Sequence, residues 1–211
     1  MKILNLYAGI GGNRKLWGND HNITAVEINP QIAKIYQDFF PMDRVIITDA
    51  HEFLLEHYDE FDFIWSSPPC PTHSELVRFR NNMTERKSVY PDMQLYQEII
   101  LLKHFAKCKY VIENVKAYYE PLIKPYISGS HYFWSNFTIT NREKEKIRGI
   151  LSDDIKEKEK KRFDLSTITA SNQFKEKILN NCVLPELGLH ILQCATQDKT
   201  LNKFMGVRAI K

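Results

Sequence analysis

Cys70 closes the run Phe61-Asp62-Phe63-Ile64-Trp65-Ser66-Ser67-Pro68-Pro69, in which an apolar stretch gives way to two serines and two prolines. Each proline fixes its own φ and pushes the residue before it toward extended backbone. Ser67 and Pro68 are therefore stiff, and the thiol sits on a rigid turn at the C-terminal end of a strand. Open α/β sheets place their ligands at that edge. A thiol there is either an inert packing group or a nucleophile that acts as thiolate.

The same kind of position recurs along the chain. Gly9, Gly11 and Gly12 follow a first apolar run, where absent side chains let the backbone turn sharply and approach a ligand. No Gly-Lys-Ser/Thr follows, which excludes a nucleoside triphosphate loop, and the Gly-x-Gly-Gly spacing departs from the dinucleotide fingerprint. Glu27 ends a second run, from which a carboxylate reaches ribose hydroxyls, with Ile28 beside it as an apolar wall. Asp49 ends a third run and reads equally as a hydrogen-bond acceptor for a ligand and as a helix N-cap. Glu113 ends a further run, with Asn114 reading as a brace for the loop beyond it.

The elements that must carry these groups follow from periodicity. Strands are expected at 3–7, 23–28, 45–48, 61–66 and 110–113. Helices are expected from about Arg14, from Pro30, over 52–57 and over 93–107. Strands alternating with helices imply a doubly wound, mostly parallel α/β sheet. Beyond it, Tyr132 to Phe137 predicts another strand and 184–195 a last apolar helix. The stretch 141–162 is crowded with Lys, Glu, Asp and Arg and reads as a solvated helix or mobile loop.

Composition sets outer bounds. The chain has 211 residues, enough for one domain with a real core and a small appendage. A net charge of +3 neither requires nor excludes nucleic acid. Cys70, Cys108, Cys182 and Cys194 show neither paired spacing nor His-rich neighbours, so no metal and no disulfide framework is expected. Unpaired thiols and the lack of a leader or a long apolar run predict a soluble cytoplasmic protein, in a bacterial cell or a phage-infected host, with no membrane association.

Five segments in order carry a resemblance. They are Asn5-Leu6-Tyr7-Ala8-Gly9-Ile10-Gly11-Gly12, Val26-Glu27-Ile28-Asn29-Pro30, Ile46-Ile47-Thr48-Asp49, the Pro68-Pro69-Cys70 turn, and Val111-Ile112-Glu113-Asn114-Val115. The chain resembles the cytosine carbon-5 methyltransferases that use S-adenosylmethionine, strongly over 1–115, and looks like a small prokaryotic or phage-type member. The resemblance implies a Rossmann-like methyltransferase fold and a cofactor pocket of Tyr7, Ala8, Gly9, Gly11, Gly12, Glu27, Ile28, Asp49 and Pro68. Tyr7 would pack near the adenine, and Asp49 would accept from its amino group. It makes Cys70 the nucleophile that adds to cytosine carbon 6, in surroundings that favour thiolate through a helix N-terminus or a nearby cation. Glu113 would act at ring nitrogen 3, and Ser67, Pro69 and Asn114 would lie on the substrate side. The polar loop 73–90, with Arg78, Arg80, Arg86 and Lys87, resembles a catalytic loop that closes over a flipped base.

The likeness thins after 115. The family's Gln-x-Arg-x-Arg segment has no arginine counterpart, and His131 stands as the candidate replacement on the substrate side. The expected organisation is a catalytic and cofactor-binding domain over 1–137, a reduced, charged recognition segment over 138–180, and a C-terminal helix over 181–211 returning to the catalytic domain. The expected partners are DNA, with its target cytosine flipped out, and a protein partner or second copy supplying recognition surface. Two alternatives stand beside this reading: the RNA-directed branch, whose Cys-Phe-Thr tripeptide is absent, and a non-catalytic subunit that binds cofactor or DNA.

Overall fold

A computed structural model describes residues 1–75, 78–79, 90–129, 131–140, 163–166 and 168–197. Seven strands form one sheet: β1 (Lys2–Leu6), β2 (Asn22–Val26), β3 (Arg44–Ile46), β4 (Phe63–Ser66), β5 (Lys109–Val115), β6 (Tyr126–Ser128) and β7 (His131–Ser135). Their order is β3-β2-β1-β4-β5-β7-β6. The first five are parallel, while β7 runs antiparallel to β5 and β6 antiparallel to β7. The chain winds outward from β1 to β3, then restarts at β4 on the other side of β1. The C-terminal ends of β1 and β4 therefore flank a topological switch point, where such sheets open a ligand crevice.

Helices α1 (Pro30–Phe39), α2 (Ala50–His57), α3 (Gln94–Phe105), α4 (Asn172–Asn180) and α5 (Pro185–Gln197) cover both faces. On one face Leu4, Leu6, Ile64 and Ile112 pack against Leu54 of α2 and Leu95, Ile99 and Leu102 of α3. On the other, Ile3, Phe63, Trp65 and Val111 pack against Leu187, Ile191 and Leu192 of α5. A third cluster joins Ile35 and Tyr36 of α1 to Ile178 and Leu179 of α4, with Phe163 and Leu165 buried between them. The second half of the segment expected to be a charged appendage thus contributes core. The stretch 141–162 lies outside the described residues, as do Arg80, Arg86 and Lys87.

One expected helix does not form. Residues 12–17 are a succession of turns rather than a helix from Arg14. The Arg14 side chain is drawn inward onto Asp43, with Nε to Oδ2 at 2.9 Å, and Tyr36 Oη donates to the same oxygen at 2.8 Å. Gly18, at φ 80, then reverses the chain. The buried ion pair and the chain reversal override helix propensity here.

Candidate active site

The loop after β1 is shaped by its glycines in different ways. Ala8 N–H donates to Val26 O at 3.0 Å and Gly11 N–H to Ala8 O at 2.9 Å, which closes a tight turn. A side chain on Gly11 would strike the rings of Phe40 and Tyr36, and one on Gly12 would strike the Val183 carbonyl. Those two glycines are demanded by the protein's own packing. Gly9 has φ 55 and open space where a Cβ would stand, so its bare face is turned away from the protein. Tyr7 also has φ 55, a conformation costly for a bulky residue.

Glu27 ties this loop to the end of β2. Its Oε2 accepts from Gly9 N–H at 3.0 Å and its Oε1 from Asn29 N–H at 2.9 Å, with the residue only 8% exposed. Each carboxylate oxygen keeps a second acceptor site, so a diol could still donate to both. Next to it Ile28 is 64% exposed, an apolar side chain at the mouth of the crevice. Asp49 caps α2, its Oδ1 accepting from His51 N–H at 2.8 Å and Glu52 N–H at 3.0 Å. The capping role is realised, and it leaves Oδ2 outside the cap. Pro68 is buried and Pro69 exposed on the turn beyond β4.

The second half of the site lies beyond β4 and β5. Ser66 pairs with Ile112, which brings the following Ser67 alongside Glu113. Trp65 Nε1 donates to Ser67 Oγ at 2.7 Å, and the Ser67 hydroxyl in turn bonds to the Glu113 carboxylate. Asn114 Nδ2 donates to Pro68 O at 3.0 Å while its Oδ1 accepts from Val115 N–H at 3.0 Å. Asn114 thus braces the Pro-Pro turn from behind. His131, on β7 opposite Val115, reaches diagonally to Glu113 with Nε2 to Oε1 at 3.7 Å.

Cys70 is half-buried at the end of this turn, and its carbonyl accepts from the N–H groups of His73 and Ser74 at 3.0 and 3.1 Å. Burial pushes its thiol up from the ordinary value, and the charge of Glu113 pushes it further. The expectation of surroundings that favour thiolate is therefore corrected: the dominant influences favour the protonated thiol. Burial also raises Glu113, against smaller opposing effects of His131 and the Ser67 hydrogen bond. The Glu113 charge thus opposes ionisation of Cys70.

Two sets of residues were missed by sequence reasoning. His73 is not part of an exposed polar loop but is 1% exposed, with Nδ1 2.6 Å from Tyr119 Oη. Its carbonyl accepts from Tyr118 N–H at 3.0 Å, and Thr72 Oγ1 accepts from Asp92 N–H at 3.0 Å, so the root of the 73–90 loop is pinned at both ends. Arg78 lies over the Tyr118 ring at 4.8 Å. The other set centres on Glu98 of α3, fully buried and bonded to Tyr7, Ser66 and His51. A glutamate on the apolar face between Tyr96 and Ile99 was the available signal.

The C-terminal helix closes on the same loop, since a side chain on Gly188 would collide with the Asn13 backbone. Asn13 in turn exchanges amide hydrogen bonds with Asn5 at 2.8 and 3.4 Å.

Residues 1–122 match the family model described as C-5 cytosine-specific DNA methylase. No curated protein matches at a significant level. Among solved structures, an Entamoeba histolytica methyltransferase, EhMeth, aligns over 97% of this chain and 98% of its own, with TM-score 0.59 and 12% identity, a likeness of fold. A Spodoptera frugiperda DNMT2 mutant aligns over 55% of this chain and 35% of its own, with 27% identity and TM-score 0.38. No helix among the described residues is long and apolar enough to cross a membrane.

Proposed function

The chain belongs to the C-5 cytosine-specific DNA methylase family, and so transfers a methyl group from S-adenosylmethionine to carbon 5 of cytosine in DNA; from that premise we propose which residues do the work. Cys70 is the nucleophile, Glu113 the acid that meets the ring, and the ends of β1, β2 and β3 the cofactor pocket. The observation that carries this reading is the β4–β5 register, which sets Ser67 beside Glu113 so that the Glu113 charge bears on the Cys70 thiol at the end of the same turn.

The residues fit the cofactor. Gly9 turns a bare backbone face to open space, Glu27 has acceptor capacity left for a ribose diol, and exposed Ile28 offers a wall for an adenine ring. Asp49 Oδ2 remains for the adenine amino group. Tyr7, Ala8, Gly11, Gly12 and Pro68 frame the pocket through their backbones and rings. S-adenosylmethionine supplies the electrophilic methyl group.

The chain's own groups must make cytosine a nucleophile. Carbon 5 is too weakly nucleophilic unaided, so Cys70 releases its thiol proton to solvent, its sulfur adds to carbon 6, and the electron pair of the ring double bond becomes available at carbon 5. Protonated Glu113 gives its hydrogen to ring nitrogen 3, offsetting the negative charge that addition creates. A neutral Glu113 also removes the charge that opposes the Cys70 thiolate, so one proton held by the carboxyl serves both steps. Once carbon 5 carries the methyl group, loss of the carbon 5 proton to water expels the Cys70 thiolate, and ring nitrogen 3 returns its proton to Glu113, which restores the ring. Ser67 keeps Glu113 aimed, and His131 steadies the ionised form. Asn114 holds the Pro68-Pro69 turn rigid beneath the thiol.

The target base must leave the duplex to reach Cys70. The pinned root of the 73–90 loop, beside the thiol, supports a role in covering that base. The edge strand β6 exposes Tyr126 and Ile127, at 44% and 56%, which supports a partner or second copy supplying recognition surface. That Cys70, Cys108, Cys182 and Cys194 form no disulfide supports a reducing, cytoplasmic setting.

The test is transfer of labelled methyl to DNA and, separately, to tRNA, with wild type beside Cys70→Ala. Label recovered from DNA as 5-methylcytosine and lost in the variant is the expected result. Label in tRNA alone, or label in DNA that survives the substitution, would overturn the assignment.

A further inference from the structure

Glu98 presents an arrangement that the reaction at Cys70 does not use. Its carboxylate is completely buried on α3, yet it carries three side-chain partners from three other parts of the molecule. Tyr7 Oη, from the glycine loop, donates to Oε1 at 2.6 Å. His51 Nδ1, in the first turn of α2, lies 3.2 Å from the same oxygen. Ser66 Oγ, the last residue of β4, donates to Oε2 at 2.6 Å. A buried carboxylate is costly unless paired and hydrogen-bonded, and such short charged bonds are the strong ones.

The positions of the partners give the cluster its meaning. Tyr7 holds φ 55 immediately before Ala8 and Gly9, so its side chain needs a fixed partner if the loop is to keep that shape. His51 donates its backbone N–H to Asp49 Oδ1 at 2.8 Å, so whatever moves His51 moves Asp49. Ser66 leads directly into the Ser67-Pro68 turn. One carboxylate therefore sets the glycine loop, the Asp49 cap and the start of the Cys70 turn relative to each other.

We propose that Glu98 is the positioning residue of the cofactor pocket, holding Tyr7, Ser66 and a protonated His51 in register, so that affinity for S-adenosylmethionine depends on the proton carried by His51. This rests on the cofactor pocket assigned above. The groups bearing on His51 are Glu98 from α3, Asp49 at its own helix cap, and Asp92 from the turn before α3. The hydrogen bond to Glu98 raises His51 above the ordinary histidine value, burial opposes this, and the charges of Glu98, Asp49 and Asp92 raise it further. A raised histidine keeps its proton below that value and loses it as pH climbs past it. Affinity is accordingly full at low pH and declines as pH rises through the elevated His51 value.

The experiment is calorimetric titration of S-adenosylmethionine into wild type, Glu98→Gln, His51→Gln and Tyr7→Phe across roughly pH 6 to 9, with Tm of each measured without cofactor. Wild type should bind about tenfold more weakly at the alkaline end than at the acid end. Glu98→Gln and His51→Gln should bind weakly throughout and lose that slope, while Tyr7→Phe should weaken binding yet keep it. Should Glu98→Gln fail to fold, its Tm shows it, and His51→Gln decides the question alone. Folded variants with wild-type affinity and slope would overturn the positioning role and leave the pocket assignment standing. A wild type that binds no S-adenosylmethionine at any pH would overturn both.

Discussion

The two halves of the crevice are built on opposite principles. Over β1, β2 and β3, each acidic group is already committed: Glu27 to two backbone N–H groups, Asp49 to the first turn of α2, and Glu98 to three side chains. Over β4 and β5, Cys70 and Glu113 are both pushed toward their protonated forms, with His131 no nearer than 3.7 Å. The first half is a preorganised mould that a ligand enters with little rearrangement. The second holds Glu113 toward the protonated form it uses but Cys70 away from thiolate, so the substrate ring must complete it.

Substitutions should separate the halves. The largest effect is expected from Cys70→Ala, which should cut methyl transfer by about four orders of magnitude or more while the Kd for S-adenosylmethionine stays at the wild-type value. Isothermal titration and radiolabel transfer on the same preparation would show this; a matching loss of cofactor affinity would mean the halves are not independent. Glu113→Gln should lower turnover about 100- to 1,000-fold, since an amide can bond to the ring but cannot give it a proton.

That substitution has a second signature, in stability. Glu113 is raised in the folded protein, so its contribution is complete below the ordinary carboxylate range and is lost as pH rises through the elevated value. Glu113→Gln should therefore gain stability relative to wild type as pH rises from 4 toward neutrality. Denaturant midpoints compared at the two pH values measure it, and an unchanged difference would mean that Glu113 ionises freely.

Effects on the mould should be milder. Glu27→Ala should weaken cofactor binding about 10- to 100-fold, with turnover at saturating cofactor changed much less. Smallest of all for chemistry, Gly188→Ala should leave the reacting groups untouched but force α5 off Asn13, lowering stability by about 1–3 kcal/mol in a thermal melt. A melt identical to wild type would mean the C-terminal helix does not support the glycine loop.

The same division explains what the sequence made legible. Strands β1 to β5 were readable along the chain because parallel strands are short continuous apolar runs ending in Gly, Pro or acid, while their order in the sheet came only from the structure. Glu27 directly after β2 and Cys70 on the turn beyond β4 followed from that pattern, whereas Glu113, expected at a strand end, lies within β5 because pairing with β7 carries that strand on to Val115. The helix from Arg14 was misread because local propensity cannot see Asp43 and Tyr36, which arrive from about thirty residues away to capture that side chain. The influences on the Cys70 thiol were misjudged for the same reason, since they come from burial in the assembled fold and then from Glu113 on the neighbouring strand. Glu98 was overlooked inside an amphipathic pattern, where a single acid on an apolar face reads as noise until its partners are assembled around it. Phe163 and Leu165 were hidden in a stretch whose composition suggested surface.

Covalent capture tests the central claim most directly. A DNA duplex carrying 5-fluorocytosine in place of cytosine cannot lose fluorine as a cation, so an enzyme that attacks carbon 6 and then methylates carbon 5 is left bonded to its substrate. Wild type incubated with a randomised duplex of this kind and S-adenosylmethionine should yield a denaturation-resistant complex whose DNA-linked peptide contains Cys70. Cys70→Ala should yield none. A complex that persists in Cys70→Ala, or methylated DNA from wild type without any linked protein, would contradict the account.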